Sequence, residues 1–123
     1  MARILVADDE EAVRIFVCRA LEAAGHEVTG VADGGEALAA LGRESYDLLL
    51  ADIVMPVMDG VALALKASLD FPAVRLLLMT GYAQERDRAH NLDMLIDDII
   101  SKPFTLAEIQ DCVARALAKD PAG

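Results

Sequence analysis

The sequence predicts an α/β domain built on a parallel sheet. Strand-like and helix-like segments alternate five times along the chain, the pattern of successive strand–helix units. The strand segments are short, continuous apolar runs, as in strands covered on both faces. Four of those runs end in polar residues able to do chemistry: Asp8-Asp9, Asp52, Thr80 and Lys102.

Each element follows from local pattern. Ile4 to Ala7 is an apolar run ending in acids, a buried strand. Val13, Phe16, Val17, Ala20, Leu21 and Ala24 fall on one helical face, and Gly25 stops that helix. Val28 to Ala32 reads as a second strand. Glu36 to Leu41 carries a short helix closed by Gly42, and Asp47 to Ala51 is a third buried strand. Met55 to Gly60 is a loop, punctuated by Pro56 and Gly60, with a structural role for Asp59-Gly60. Val61 to Leu69 continues as a helix that ends before Pro72, and Val74 to Met79 is the fourth strand. A weak helical pattern spans Gln84 to Asp93. Ile96 to Ser101 holds the fifth strand, with Asp97-Asp98 blurring its start. The last helix has the clearest signal. Thr105 and Glu108 form a capping box, Phe104 and Ile109 a hydrophobic staple, and Ile109, Cys112, Val113, Ala116 and Leu117 an inner face.

Composition narrows the function classes. A chain of 123 residues suits one domain, and 55% hydrophobic residues suffice for a packed core. With 4% aromatics and no Trp, Ala, Val, Leu, Ile and Met must fill that core. A net charge of −10 disfavours nucleic acid, whose phosphates need clustered Lys and Arg, and anionic membrane surfaces. The longest uncharged run, Leu76 to Gln84, is far short of the roughly 20 residues of a spanning helix. The first residues meet acids too soon for a signal peptide. Cys18 and Cys112 read as small core residues of a reducing, cytoplasmic protein. His26 and His90 lack the spacing of a zinc site and read as surface histidines.

The polar strand ends carry the chemistry. Ligands of open α/β sheets bind beyond the carboxyl ends of the strands. If the strand order makes the first, third, fourth and fifth strands neighbours, Asp8, Asp9 and Asp52 converge. Three such carboxylates repel one another and call for a hard divalent cation, and Mg²⁺ accepts one or two carboxylates plus a phosphate. A carboxylate so placed can attack phosphorus and form an acyl phosphate. Lys102 can supply a cation and Thr80 a hydroxyl to the oxygens of a transferred phosphoryl group. Each feature alone has a plainer reading: Asp8-Asp9 as the solvated start of a helix, Thr80-Gly81 as a strand end, Lys102 as a surface lysine, Phe104 as a staple. Met55, Met58 and Met79 read as packing residues. Their joint placement at successive strand ends outweighs these readings.

These residues, Asp8-Asp9, the run from Asp52 through Met55-Pro56 to Asp59-Gly60, Thr80-Gly81 and Ser101-Lys102-Pro103-Phe104, resemble the receiver domain of two-component response regulators. The likeness covers nearly the whole chain. Asp52-Ile53-Val54-Met55-Pro56 and Thr80-Gly81-Tyr82 are most similar to single-domain CpdR-type receivers of alphaproteobacteria. The resemblance implies a doubly wound (βα)5, flavodoxin-like three-layer sandwich with strand order 2-1-3-4-5. It implies a receiver over residues 1–119, a short tail over 120–123 and no output domain. It makes Asp52 the phosphoacceptor, with Thr80 and Lys102 binding phosphoryl oxygens. Mg²⁺ would be held by Asp9, Asp52 and the Val54 carbonyl directly, and by Asp8 through water. The Lys102-Pro103 peptide would be cis. The expected partners are a histidine kinase or histidine phosphotransfer protein as donor, and a downstream protein. The latter would meet the face formed by the Gln84–Asp93 helix, the fifth strand and the last helix. An adaptor role in regulated proteolysis follows from the CpdR likeness alone. Ile99 stands where many members of that family carry an aromatic switch residue, so the resemblance does not extend to the usual aromatic readout.

Two other classes compete. A small Mg²⁺-dependent aspartyl phosphohydrolase would need a substrate-enclosing cap, and no insertion supplies one. A flavodoxin would meet repulsion between the flavin phosphate and Asp8-Asp9-Glu10-Glu11.

Overall fold

The computed structural model describes residues 1–81 and 95–119. Five strands, Arg3–Ala7 (β1), Glu27–Val31 (β2), Leu48–Asp52 (β3), Arg75–Thr80 (β4) and Asp98–Ser101 (β5), form one sheet. Their order is β2-β1-β3-β4-β5, and every neighbouring pair is parallel. The described helices are Glu11–Ala23 (α1), Gly34–Arg43 (α2), Gly60–Asp70 (α3) and Leu106–Ala118 (α4). The helical pattern from Gln84 to Asp93, together with Tyr82, His90 and the tail from Asp120, lies outside the described residues.

Successive strand residues point to opposite faces, and here both faces are covered. Ile4 and Val6 of β1, Leu48 and Leu50 of β3, and Leu77 and Met79 of β4 pack against Val17 and Leu21 of α1 and Ile109 and Val113 of α4. The alternate residues Leu5, Ala7, Leu49, Ala51, Leu76 and Leu78 pack against Ala37 and Leu41 of α2 and Leu63 and Ala67 of α3. That double cover makes the three-layer sandwich and explains the unbroken apolar runs. Each buried Leu contributes about 1.5–3 kcal/mol through its removal from water. β2, by contrast, is an edge strand whose residues are all exposed or half-buried.

Helix ends follow their caps. Asp33 accepts a hydrogen bond from the Glu36 amide at 2.8 Å, and Asp59 from the Ala62 amide at 2.8 Å. Thr105 and Glu108 form the expected reciprocal capping box. Gly25, at φ +95°, follows α1. Gly42 does not close α2, which runs on to Arg43, because Leu41 and Ala40 keep that turn packed on the core. β5 begins at Asp98 rather than Ile96: the Asp97 carboxylate instead accepts the Leu76 amide at 2.8 Å. Cys112 is buried, whereas Cys18 is only half-buried. His26 is more than a surface residue, since its Nδ1 accepts the Ala2 amide at 3.2 Å. Ile99 packs inward against the α2–α3 side of the core.

Candidate functional site

The sheet register brings the polar strand ends to one edge. Ala7 pairs with Ala51, Asp52 with Met79 and Thr80 with Ser101. Beyond the ladder, the Ile53 amide bonds the Met79 carbonyl at 3.0 Å, and the Lys102 amide bonds the Thr80 carbonyl at 2.7 Å. Parallel pairing therefore places Asp8, Asp9, Asp52, Thr80 and Lys102 above β1, β3, β4 and β5. The outlying β2, separated from β3 by β1, contributes none of these residues.

Carboxylate oxygens of Asp8, Asp9 and Asp52 all lie within 4.8 Å of one another. Asp8 is fully buried and Asp52 nearly so, while Asp9 is exposed. The Lys102 ammonium bridges the two buried acids, 3.1 Å from Asp8 Oδ2 and 3.2 Å from Asp52 Oδ1, with Glu10 at 3.7 Å. Burial works to lower the Lys102 pKa, but the charges of Asp52 and Asp8 and their hydrogen bonds outweigh it and raise it above the ordinary lysine value. Lys102 is thus held cationic. Its peptide bond to Pro103 is cis, as expected.

Asp8 is tied at every polar atom. Its amide bonds the Val31 carbonyl at 3.1 Å, and its Oδ1 accepts the Glu10 amide at 2.9 Å. Its backbone carbonyl accepts Arg14 Nη1 at 2.8 Å, and its Oδ2 takes Lys102. Glu10 and Arg14 are contacts that sequence reasoning missed; an i+6 arginine after an acid pair carries no local signal. Thr80 is buried at 2% exposure, at the end of β4. Val54 follows Asp52 in the loop before α3. The residue is 54% exposed.

The donor set fits a hard cation. All three side chains offer carboxylate oxygen, and two are shielded from water, so their mutual repulsion is weakly screened. Mg²⁺ prefers such ligands and keeps waters on its open side; Asp9 supplies the exposed side here. Among the described residues no helix is long and apolar enough to cross a membrane.

Comparison with known proteins agrees with this geometry. The family model for the response regulator receiver domain matches residues 4–114. The receiver protein CpdR of Brucella abortus is 37% identical over 95% of this chain and 98% of its own length. The transcriptional regulatory protein TcrA of Mycobacterium tuberculosis is 36% identical over 87% of this chain, which spans only 42% of TcrA. Among solved structures, a CheY-like receiver domain protein from Methanospirillum hungatei superposes with a TM-score of 0.88, at 32% identity over 95% of this chain and 94% of that one. TrrA of Thermotoga maritima, solved in complex with Mg²⁺ and BeF, gives 0.85 at 29% identity over 94% and 99% of the two chains. With its acids gathered at the carboxyl edge of a 2-1-3-4-5 sheet, this chain belongs to the response regulator receiver domain family, and is a signalling domain rather than a conventional enzyme.

Proposed function

We propose that Asp52 accepts a phosphoryl group from a phosphohistidine of a histidine kinase or phosphotransfer protein, and that the chain works as a stand-alone receiver. One observation carries this reading: a buried carboxylate at the end of β3 shares one ammonium with a second buried acid, beside an exposed third. An Asp52 oxygen attacks phosphorus as the phosphorus–nitrogen bond breaks, and the departing imidazole keeps the bonding pair. Lys102 and Thr80 then bind phosphoryl oxygens. Asp8, Asp9, Asp52 and the Val54 carbonyl would hold Mg²⁺, directly or through water. Bound there, Mg²⁺ supplies positive charge that offsets the carboxylates and the incoming phosphoryl oxygens.

Beside the site, Ala12, Val13, Phe16, Pro103 and Phe104 line an apolar hollow next to Lys102. Phe16 is 40% exposed, and its ring lies 6.4 Å from that of Phe104. An apolar seat at the mouth of a charged site supports a protein donor rather than a small phosphate ester. The likeness to the receiver protein CpdR over 98% of that protein's length supports a receiver that acts as a unit; the proposed adaptor role in regulated proteolysis follows from the family resemblance alone.

The test is intact-mass measurement after incubation with acetyl phosphate and Mg²⁺. The expected result is a single adduct of about 80 Da that is absent from Asp52→Asn and from protein treated with a chelator. An adduct that survives Asp52→Asn would reject the assignment. Turnover of small phosphate esters beyond one equivalent would favour the phosphohydrolase.

A further inference from the structure

The loop from Ile53 to Asp59 rests on glycines at both sides. Gly60, the first residue of α3, donates its amide to the Ile53 carbonyl at 2.8 Å. A Cβ at Gly60 would lie 2.3 Å from the Asp52 carbonyl oxygen. On the other side stands Gly34, the buried first residue of α2, remote in sequence and outside the acidic site. A Cβ there would lie 2.2 Å from the Met58 carbonyl oxygen and 2.8 Å from Met58 Cβ. Neither Met58 atom can swing away without moving the loop, because the carbonyl is backbone and the Cβ is fixed to it. Next to it, a Cβ at Gly35 would meet Val57 Cγ1 at 3.1 Å.

The same loop holds the one non-glycine residue with positive φ among the described residues, Val57 at +70°. A β-branched residue in the left-handed region costs about 1–3 kcal/mol, and such a conformation persists only when its surroundings over-determine it. Val57 is 84% exposed, so burial of its side chain does not force the conformation. What surrounds the turn is the Met58 amide bonded to the Pro56 carbonyl at 2.8 Å and the bare start of α2 under Val57 and Met58. The loop is pressed into a costly shape against a surface from which Cβ atoms are missing.

We propose that Gly34 is a positioning residue for divalent-cation binding: by admitting the Met58 carbonyl at close range, it sets the Asp52–Gly60 loop and hence the Val54 carbonyl and Asp52. Gly35 assists through Val57. The inference rests on the reading that Mg²⁺ binds among Asp8, Asp9, Asp52 and the Val54 carbonyl. No charge changes when these glycines are substituted, so altered cation affinity reports geometry rather than electrostatics.

The experiment is Mg²⁺ titration by calorimetry, with amide chemical shifts of residues 52–60 recorded on the metal-free protein. Gly34→Ala is expected to shift those amides before any metal is added and to weaken Mg²⁺ binding about tenfold or more, the usual cost of losing a group that orients metal ligands. A folded Gly34→Ala protein with lowered thermal stability but wild-type Mg²⁺ affinity would overturn the proposal. Should Gly34→Ala fail to fold, Gly35→Ala decides it, paired with Val57→Gly. Gly35→Ala is expected to weaken Mg²⁺ binding about threefold, with the loss removed in the Val57→Gly background, since the contact is to Val57 Cγ1. Strictly additive effects, or none, would reject it. Wild-type protein that binds no Mg²⁺ would reject the underlying metal site instead.

Discussion

The two ends of the sheet carry comparable charge and treat it in opposite ways. At the amino end, Arg3 pairs with Glu27 at 3.3 Å and with Glu44, and its guanidinium lies 5.4 Å from the centre of the Tyr46 ring. Its amide bonds the Asp47 carboxylate at 2.8 Å, and Lys119 bonds the Asp97 carbonyl at 2.7 Å. The Arg3, Glu27 and Glu44 side chains are 40% to 63% exposed. Water screens what the pairs leave over. At the carboxyl end, Asp8 and Asp52 share Lys102 with almost no water, and Asp9 adds a third carboxylate. The difference teaches that charge count does not make a site. Convergence and burial do, because they gather carboxylates around one shared ammonium where little water screens their repulsion.

The largest effect that probes this contrast is expected from Lys102→Met. Two buried carboxylates would then face each other without the ammonium that bridges them, and the metal-free protein should lose about 2–4 kcal/mol. Urea unfolding with and without Mg²⁺ should show much of that loss recovered by the metal. A midpoint unchanged in metal-free buffer would mean that this end is as well screened as the other.

A second effect comes from the metal itself. At about 100 times its dissociation constant, Mg²⁺ should stabilise the wild type by about 2.7 kcal/mol. Asp9→Asn should abolish that gain. A Tm rise of equal size in the variant would place the cation elsewhere.

The amino end should respond weakly. Arg3→Ala is expected to cost about 1 kcal/mol or less, from exposed pairs and one cation–π contact, and to leave Mg²⁺ affinity unchanged. Denaturation and titration of one variant check both halves.

Smallest is a pH effect at His26. Burial first, and then the charged N-terminus, hold its pKa below the ordinary histidine value. The folded state therefore binds fewer protons, so this contribution is present above the ordinary value and is lost as pH falls from there through the lowered one. Urea midpoints between pH 7.5 and 5.5 should fall more in the wild type than in His26→Gln. Parallel profiles would show that the Ala2 amide contact is indifferent to protonation.

Much of the architecture was legible because local and global signals agree. Thr105 and Glu108 mark α4 by a contact complete within one turn. The apolar runs at Leu48-Leu49-Leu50 and Leu76-Leu77-Leu78 announce strands covered on both faces, and the two separate cores bear that out. Where reasoning slipped, a tertiary contact overrode a local preference. Gly42 is a helix stop in isolation, yet the packed turn beside it carries α2 past it. Asp97 looks like part of a strand but spends its carboxylate on the Leu76 amide. Within the site, the acids, Thr80 and Lys102 could be named from their places at strand ends. Glu10 and Arg14 could not, because their contacts depend on how α1 leaves the sheet.

By itself, then, the sequence determined the alternation of strands and helices, the polar residues that end the strands, and the caps, since each is decided by neighbours within a few positions. The tertiary structure alone decided that Lys102 bridges Asp8 and Asp52 across 94 and 50 positions of chain. It alone decided that Gly34 lies under the Met58 carbonyl. Such approaches are set by parallel register and helix packing, and close contacts between remote segments leave no trace in local pattern.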